Sequence, residues 1–207
     1  MATSADPSTP ASPPVASDGG SRHVVLIGLM GAGKTEVGRA LAGRTRQRHV
    51  DLDRAITQLA GRSIGVIFHE GGESSFRDIE SQCLALQLAA GDPIVLSTGG
   101  GVLVRDGNRA ALADGPTVVW LRARAETLAD RVGDGAGRPL LEGRDPLEVL
   151  SGLVDERHLV YAEAADLVVD TDGRSIDEVA DAVAEALVDT PGAIGASGGN
   201  EKVGDRT

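Results

Sequence analysis

A lysine and a threonine close the stretch "GLMGAGKT", residues 28–35. The spacing fits G-x-x-x-x-G-K-[ST]. Glycines let the backbone curl until successive N–H groups point inward, an arrangement suited to phosphate oxygens. Lys34 supplies a full charge for β- and γ-phosphates, and the Thr35 hydroxyl is a hard oxygen donor suited to Mg²⁺. The N-terminus of a helix beginning near Lys34 adds its partial positive charge. Nucleotide contacts are therefore expected from Gly31, Ala32, Gly33, Lys34, Thr35 and Glu36. An ordinary glycine-rich turn is the alternative. The apolar run before the loop and the helical pattern after it are the context the motif requires.

Further along, "DLD" places Asp51 and Asp53 two residues apart after a candidate strand. In an extended chain that spacing puts both carboxylates on one side. Near a triphosphate, one suits Mg²⁺ or its waters and the other a substrate hydroxyl. The pair could equally mark a helix start, with Asp53 capping "RAITQLAG". "FRDIE" holds Arg77 and Glu80 at i, i+3. Either they form a solvated pair on a helix surface, or Glu80 holds the planar Arg77 fork toward a ligand carboxylate. "IVLSTGGG" ends in Gly99, Gly100 and Gly101, which suit a backbone that a ligand must approach closely. "RVGDGAGRPLLEGRDP", residues 131–146, reads as a mobile lid that brings Arg138 to a transferring phosphoryl group and excludes water, or else as a polar surface loop.

These groups need a frame, and the chain alternates in a way that provides one. Short apolar runs at Val24–Ile27, Arg48–Leu52, Pro93–Ser97, Thr117–Leu121 and Leu167–Val169 are separated by amphipathic helical stretches. The last stretch carries Ile176, Val179, Ala180, Val183, Ala184 and Leu187 on one stripe. Strands alternating with helices predict a parallel sheet covered on both faces, with ligands beyond the carboxyl ends of the strands. Aromatic residues make up only 2% of the chain, so the core must be aliphatic. A net charge of -11 argues against nucleic-acid and membrane-surface partners. Cys83 is the only cysteine, which excludes a disulfide framework and fits a reducing, cytoplasmic setting. Residues 1–21 and 190–207 are rich in Pro, Ser, Ala and Gly and read as disordered tails around a domain at 22–189. A monomer is the default, since no apolar stripe is left over.

Together the pieces resemble the shikimate kinase family over about residues 23–188. Arg77-Asp-Ile-Glu80 followed by "VLSTGGG" is the most specific part. The resemblance implies an α/β fold: a P-loop, NMP-kinase-like three-layer sandwich with a five-stranded parallel sheet, flanking helices and a mobile lid. It implies transfer of the γ-phosphoryl of ATP to the 3-hydroxyl of shikimate, with Mg²⁺ as cofactor. Thr35 and Asp51 match the metal positions. Lys34, Asp53 and Arg138 match the catalytic ones. Asp53, Arg77, Gly100 and Arg157 match the shikimate contacts, and Arg138, with Arg131 and Arg174 near adenine, the nucleotide contacts. The chain departs at "RHLVYAEAA", where Leu159 stands at a position the family commonly gives to proline. Rival readings are another small-molecule kinase on the same fold, or a non-catalytic nucleotide-binding module.

Overall fold

A computed structural model of the chain describes residues 22–135 and 140–190. The tail expected at residues 1–21, the tail expected at 190–207 apart from Thr190, and Arg138 of the expected lid lie outside the described residues.

The five expected strands form, as β1 Val24–Ile27, β2 Arg48–Asp51, β3 Ile94–Ser97, β4 Thr117–Arg122 and β5 Leu167–Asp170. They make one parallel sheet in the order β2-β3-β1-β4-β5. β1, β3 and most of β4 are buried, which is why they read as continuous apolar runs. The helices are α1 Lys34–Thr45, α2 Leu52–Ala60, α3 Ile64–Leu88, α4 Asp106–Ala113, α5 Ala125–Val132, α6 Pro146–Ala164 and α7 Ile176–Val188.

Register shows how the layers stack. Leu26 is level with Ser97, and Ile27 with Trp120. Successive side chains on a strand point to opposite faces. Ser97 touches α1 and Trp120 touches α6, so α1 and α6 cover opposite faces of the sheet. α7 packs on α1, and α5 on α6. The chain therefore winds away from β1 in both directions. The crevice between diverging connections opens at the carboxyl ends of β1 and β3, where ligands bind in such sheets.

The structure corrects three local expectations. β2 ends at Asp51, and Leu52 already begins α2, so Asp51 and Asp53 do not share one extended segment. The cap of α2 is Asp51, not Asp53: its side chain accepts from the Arg54 N–H at 3.1 Å. On the α7 stripe, Val179, Ala180, Val183 and Leu187 are buried, but Ile176 is 40% exposed. It sits at the first helical position beside Gly33, where the core no longer covers it. The long α3 also breaks at Gly72, whose φ of 69° and ψ of -174° are non-helical. Phe68 and Phe76 stack across the break, with ring centroids 4.7 Å apart.

Candidate active site

The glycine-rich loop joins β1 to α1. Gly33 caps α1 in the left-handed region, with φ of 89° and no side-chain cap bond, leaving the first-turn N–H groups without a side-chain acceptor. Gly31, with φ of 83°, passes so close to α5 that a Cβ there would lie 2.8 Å from the Leu128 carbonyl oxygen. Lys34 is buried, and its Nζ donates to the carbonyls of Gly28 at 2.7 Å and Leu29 at 2.8 Å. The Ala32 N–H is used within the loop, donating to Leu29. The carboxylate of Glu36 pairs with Arg39 at 2.5 Å.

A cavity of about 390 Å³ opens over this loop. Lys34, Thr35, Asp51, Asp53, Gly99 and Gly100 all line it. Thr35 donates its hydroxyl hydrogen to Asp51 Oδ2 at 2.8 Å. Asp51 thus spends one oxygen on the α2 cap and the other on Thr35. Asp53, in the first turn of α2, faces Gly99: a Cβ on Gly99 would meet Asp53 Oδ1 at 3.3 Å and Glu80 Oε1 at 3.2 Å. The two carboxylates expected to act together therefore do share the cavity, through a strand end and a helix start.

Arg77 is not the solvated pair that its spacing allowed. It is 8% exposed and Glu80 is 0% exposed. Arg77 donates to Glu80 Oε2 at 2.7 Å and to Glu73 at 3.1 Å, lies over the Phe76 ring, and fills the space that a side chain at Gly101 would need. Burial lifts the Glu80 carboxyl above its ordinary range, and the Arg77 guanidinium pulls it only partly back. Burial also works against the Arg77 charge, but Glu80 and Glu73 outweigh it and raise that pKa. One oxygen of Glu80, Oε1, is buried without a partner.

α6 brings two more groups to the triple glycine. Arg157 Nη1 donates to the Gly100 carbonyl at 2.8 Å, and the Tyr161 hydroxyl donates to the same oxygen at 2.5 Å. Arg157 Nε is buried without a partner, and Glu156 lies 3.7 Å away. Leu159, at the position the family commonly gives to proline, points to solvent at 69% exposure, and Arg157 lines a separate recess of about 220 Å³ with Gly100, Gly101 and Tyr161 rather than the cavity over the loop. Burial pushes the Tyr161 phenol up to about 12.

Arg131 lines the phosphate side of the cavity and is anchored on Thr171 at 2.6 and 2.8 Å. Arg174 is exposed on the turn before α7 and does not line the cavity. Cys83 is buried, in keeping with a packing role, and burial raises its thiol pKa. Another cavity of about 380 Å³, between β4 and α6, holds none of the expected site residues.

Sequence reasoning missed Tyr161, Thr171 and the pair His49 and Ser97. Tyr161 is the chain's only tyrosine and stands four residues after Arg157, on the same helix face, which was a usable signal. His49 and Ser97 gave none, because their meeting depends on strand order.

Among the described residues no group of three or more His, Cys, Asp or Glu could hold a metal ion. That does not conflict with Mg²⁺, which keeps several waters and takes few protein oxygens alongside phosphates. Thr35 and Asp51, adjacent hard oxygen donors beside the phosphate loop, fit it. No described helix is long and apolar enough to cross a membrane.

Comparison with known proteins agrees with this geometry. The family model described as shikimate kinase matches residues 30–188. The shikimate kinase of Symbiobacterium thermophilum is 46% identical over 167 residues, covering 80% of this chain and 95% of that protein. That of Cereibacter sphaeroides is 44% identical, covering 82% and 84%. Among solved structures, the Acinetobacter baumannii shikimate kinase in complex with shikimate superposes with a TM-score of 0.78 at 31% identity, covering 82% of this chain and 94% of that one. The fold, the cavity and these relatives lead to one conclusion: the chain belongs to the shikimate kinase family.

Proposed function

We propose that the chain moves the γ-phosphoryl group of ATP onto the 3-hydroxyl of shikimate, yielding shikimate 3-phosphate and ADP. The observation that carries this reading is the pair of orphaned atoms. Among the described residues, Glu80 Oε1 and Arg157 Nε are the two buried side-chain polar atoms without hydrogen-bond partners. Glu80 Oε1 lies against Gly99, and Arg157 donates to the carbonyl of Gly100; both glycines line the cavity, although Glu80 and Arg157 themselves do not. Buried polar atoms are normally satisfied, so a polar ligand belongs there. Shikimate offers a carboxylate for Arg157 and Arg77, and hydroxyls for the carboxylates.

In this reading the curled loop and the first turn of α1 hold the β- and γ-phosphates. Lys34 leaves the Gly28 and Leu29 carbonyls and places its charge on the transferring group. Bound Mg²⁺ would neutralise phosphate charge, held by Thr35 and Asp51. Asp53 orients the acceptor hydroxyl and takes its proton. In a loose transition state little proton transfer occurs early, so orientation is the larger contribution. Arg77 and Arg157 fix the acceptor at its carboxylate end, and Tyr161 holds the Gly100 peptide in place. Arg138, from sequence, closes over the phosphates and, with the lid, keeps out the water that competes with the acceptor alcohol. Glu36 and Arg174 take outer places on the nucleotide side. The protein works as a cytoplasmic monomer on these small molecules, a reading that its acidic balance supports against nucleic-acid and membrane partners.

The test is ADP release coupled to a dehydrogenase assay, with shikimate, gluconate and AMP as acceptors. Release that depends on shikimate alone is expected. Equal release with gluconate or AMP would overturn the acceptor assignment.

A further inference from the structure

A hydrogen-bonded chain runs beneath the phosphate loop from the edge of the sheet to the first turn of α1. His49 Nε2 lies 2.9 Å from Ser97 Oγ. Ser97 Oγ in turn donates to the main-chain carbonyl of Lys34 at 2.8 Å. A carbonyl only accepts, so the single Ser97 hydroxyl proton is committed to Lys34. Ser97 Oγ must then accept from the imidazole, and this assigns the proton of that contact to His49 Nε2. Direction is thereby fixed: His49 gives to Ser97, and Ser97 gives to α1.

Packing encloses the contact. Ser97 is 2% exposed. Gly38 on α1 lies directly over the pair: a Cβ there would collide with Ser97 Oγ and sit 2.8 Å from His49 Nε2. In an α-helix the Gly38 N–H bonds to the carbonyl of residue 34, so Ser97 adds a second donor to an oxygen already in the ladder. His49 and Asp51 are two apart on β2 and share one face, and Asp51 is level with Ser97 on β3. The face that presents Asp51 to Thr35 therefore also presents His49 to Ser97.

We infer that His49 and Ser97 are positioning residues for the nucleotide half of the reaction. The relay holds the carbonyl of Lys34 while Asp51 holds the hydroxyl of Thr35. Consecutive residues of the α1 first turn are thus tied to consecutive strands. That sets where Lys34 Nζ and the first-turn N–H groups stand relative to the phosphates. The hydrogen bonds of the relay end on α1, so its effect is expected on the nucleotide side.

This rests on the nucleotide reading of the loop, and the test separates the two. MgATP affinity is measured by calorimetry for the full chain, alongside KM for each substrate and Tm. His49→Gln retains an N–H donor at similar reach; His49→Leu does not. Losing one hydrogen bond of ordinary worth changes an equilibrium by about fivefold. His49→Leu and Ser97→Ala are expected to weaken MgATP binding by about that factor, with shikimate KM within about twofold of wild type, and His49→Gln to restore most of the loss. If His49→Gln is as impaired as His49→Leu, or if both substrates weaken equally in step with Tm, the pair is only structural and the inference fails. A wild-type protein that binds MgATP but ignores shikimate would instead overturn the acceptor reading and leave this inference standing.

Discussion

The Tyr161 hydroxyl donates to the Gly100 carbonyl at 2.5 Å, and Arg157 donates to the same oxygen at 2.8 Å. One carbonyl thus fixes both a peptide of the triple glycine and the guanidinium proposed to meet the acceptor. Removing the phenol frees that peptide to rotate and loosens Arg157. Tyr161→Phe is expected to raise shikimate KM by about fivefold, the scale of one hydrogen bond, and to leave ATP KM within about twofold. Steady-state kinetics with each substrate varied in turn decide it. Because burial holds the phenol near 12, the difference between variant and wild type should be flat from pH 6 to 10. Equal shifts in both KM values would show that Tyr161 supports the fold rather than the acceptor.

Lys34 and Asp53 line opposite needs of the same cavity. Lys34→Ala removes charge stabilisation that grows in the transition state, and kcat should fall by about 10²–10³. Asp53→Asn keeps the shape but loses the proton acceptor, and a fall of about 10²–10⁴ is expected. Circular dichroism and Tm close to wild type are expected for Asp53→Asn, since Asp51 provides the α2 cap. A kcat for Asp53→Asn within threefold of wild type would remove Asp53 from the chemistry.

Asp51 has separable duties, because Oδ1 caps α2 and Oδ2 meets Thr35. Asparagine caps helices about as well as aspartate, whereas alanine at that place costs about 1 kcal/mol. Asp51→Asn should therefore keep Tm near wild type while raising the Mg²⁺ concentration for half-maximal activity. Asp51→Ala should show the same Mg²⁺ defect and also lose about 2–4 °C. Chelation with EDTA should stop turnover of wild type, with recovery on adding Mg²⁺. An unchanged Mg²⁺ requirement in Asp51→Asn would dissociate this carboxylate from the metal.

Much of this was legible in the sequence because it is local. The phosphate loop declares itself through glycine spacing, and β1, β3 and β4 through unbroken apolar runs. The acceptor pocket is legible only in part. Arg77 and Glu80 are adjacent on a helix, but nothing local says that Glu80 is wholly buried. Asp51 and Asp53 line one cavity, but not through the spacing that joined them in the sequence: the strand periodicity belongs to His49 and Asp51, and a helix start carries Asp53. His49 and Ser97 meet only because β3 inserts between β1 and β2, a fact of strand order that no window of residues contains. Gly38 likewise looks like a helix defect until Ser97 is seen against it.

The buried Arg77–Glu80 pair gives the fold a pH dependence whose sign can be worked out. Burial raises the native Glu80 pKa above the 4.5 of a free carboxyl, with Arg77 opposing the rise. The native state therefore binds the Glu80 proton more tightly than the unfolded state does. Its stabilising contribution is complete below 4.5 and fades as pH climbs through the native value. Arg77→Met removes the opposing charge, so the native value moves further up and the window widens. Leaving a buried charge without its partner costs about 3–5 kcal/mol. Melting curves from pH 4 to 8 should show Arg77→Met losing stability with rising pH more steeply than wild type, and Glu80→Gln less steeply. The double variant Arg77→Met/Glu80→Leu should be more stable than Arg77→Met alone, since it contains no unpaired buried charge. If Arg77→Met instead gained stability as pH rose, Glu80 would have to be ionised and solvated there, and the clamp drawn between these two side chains would be wrong.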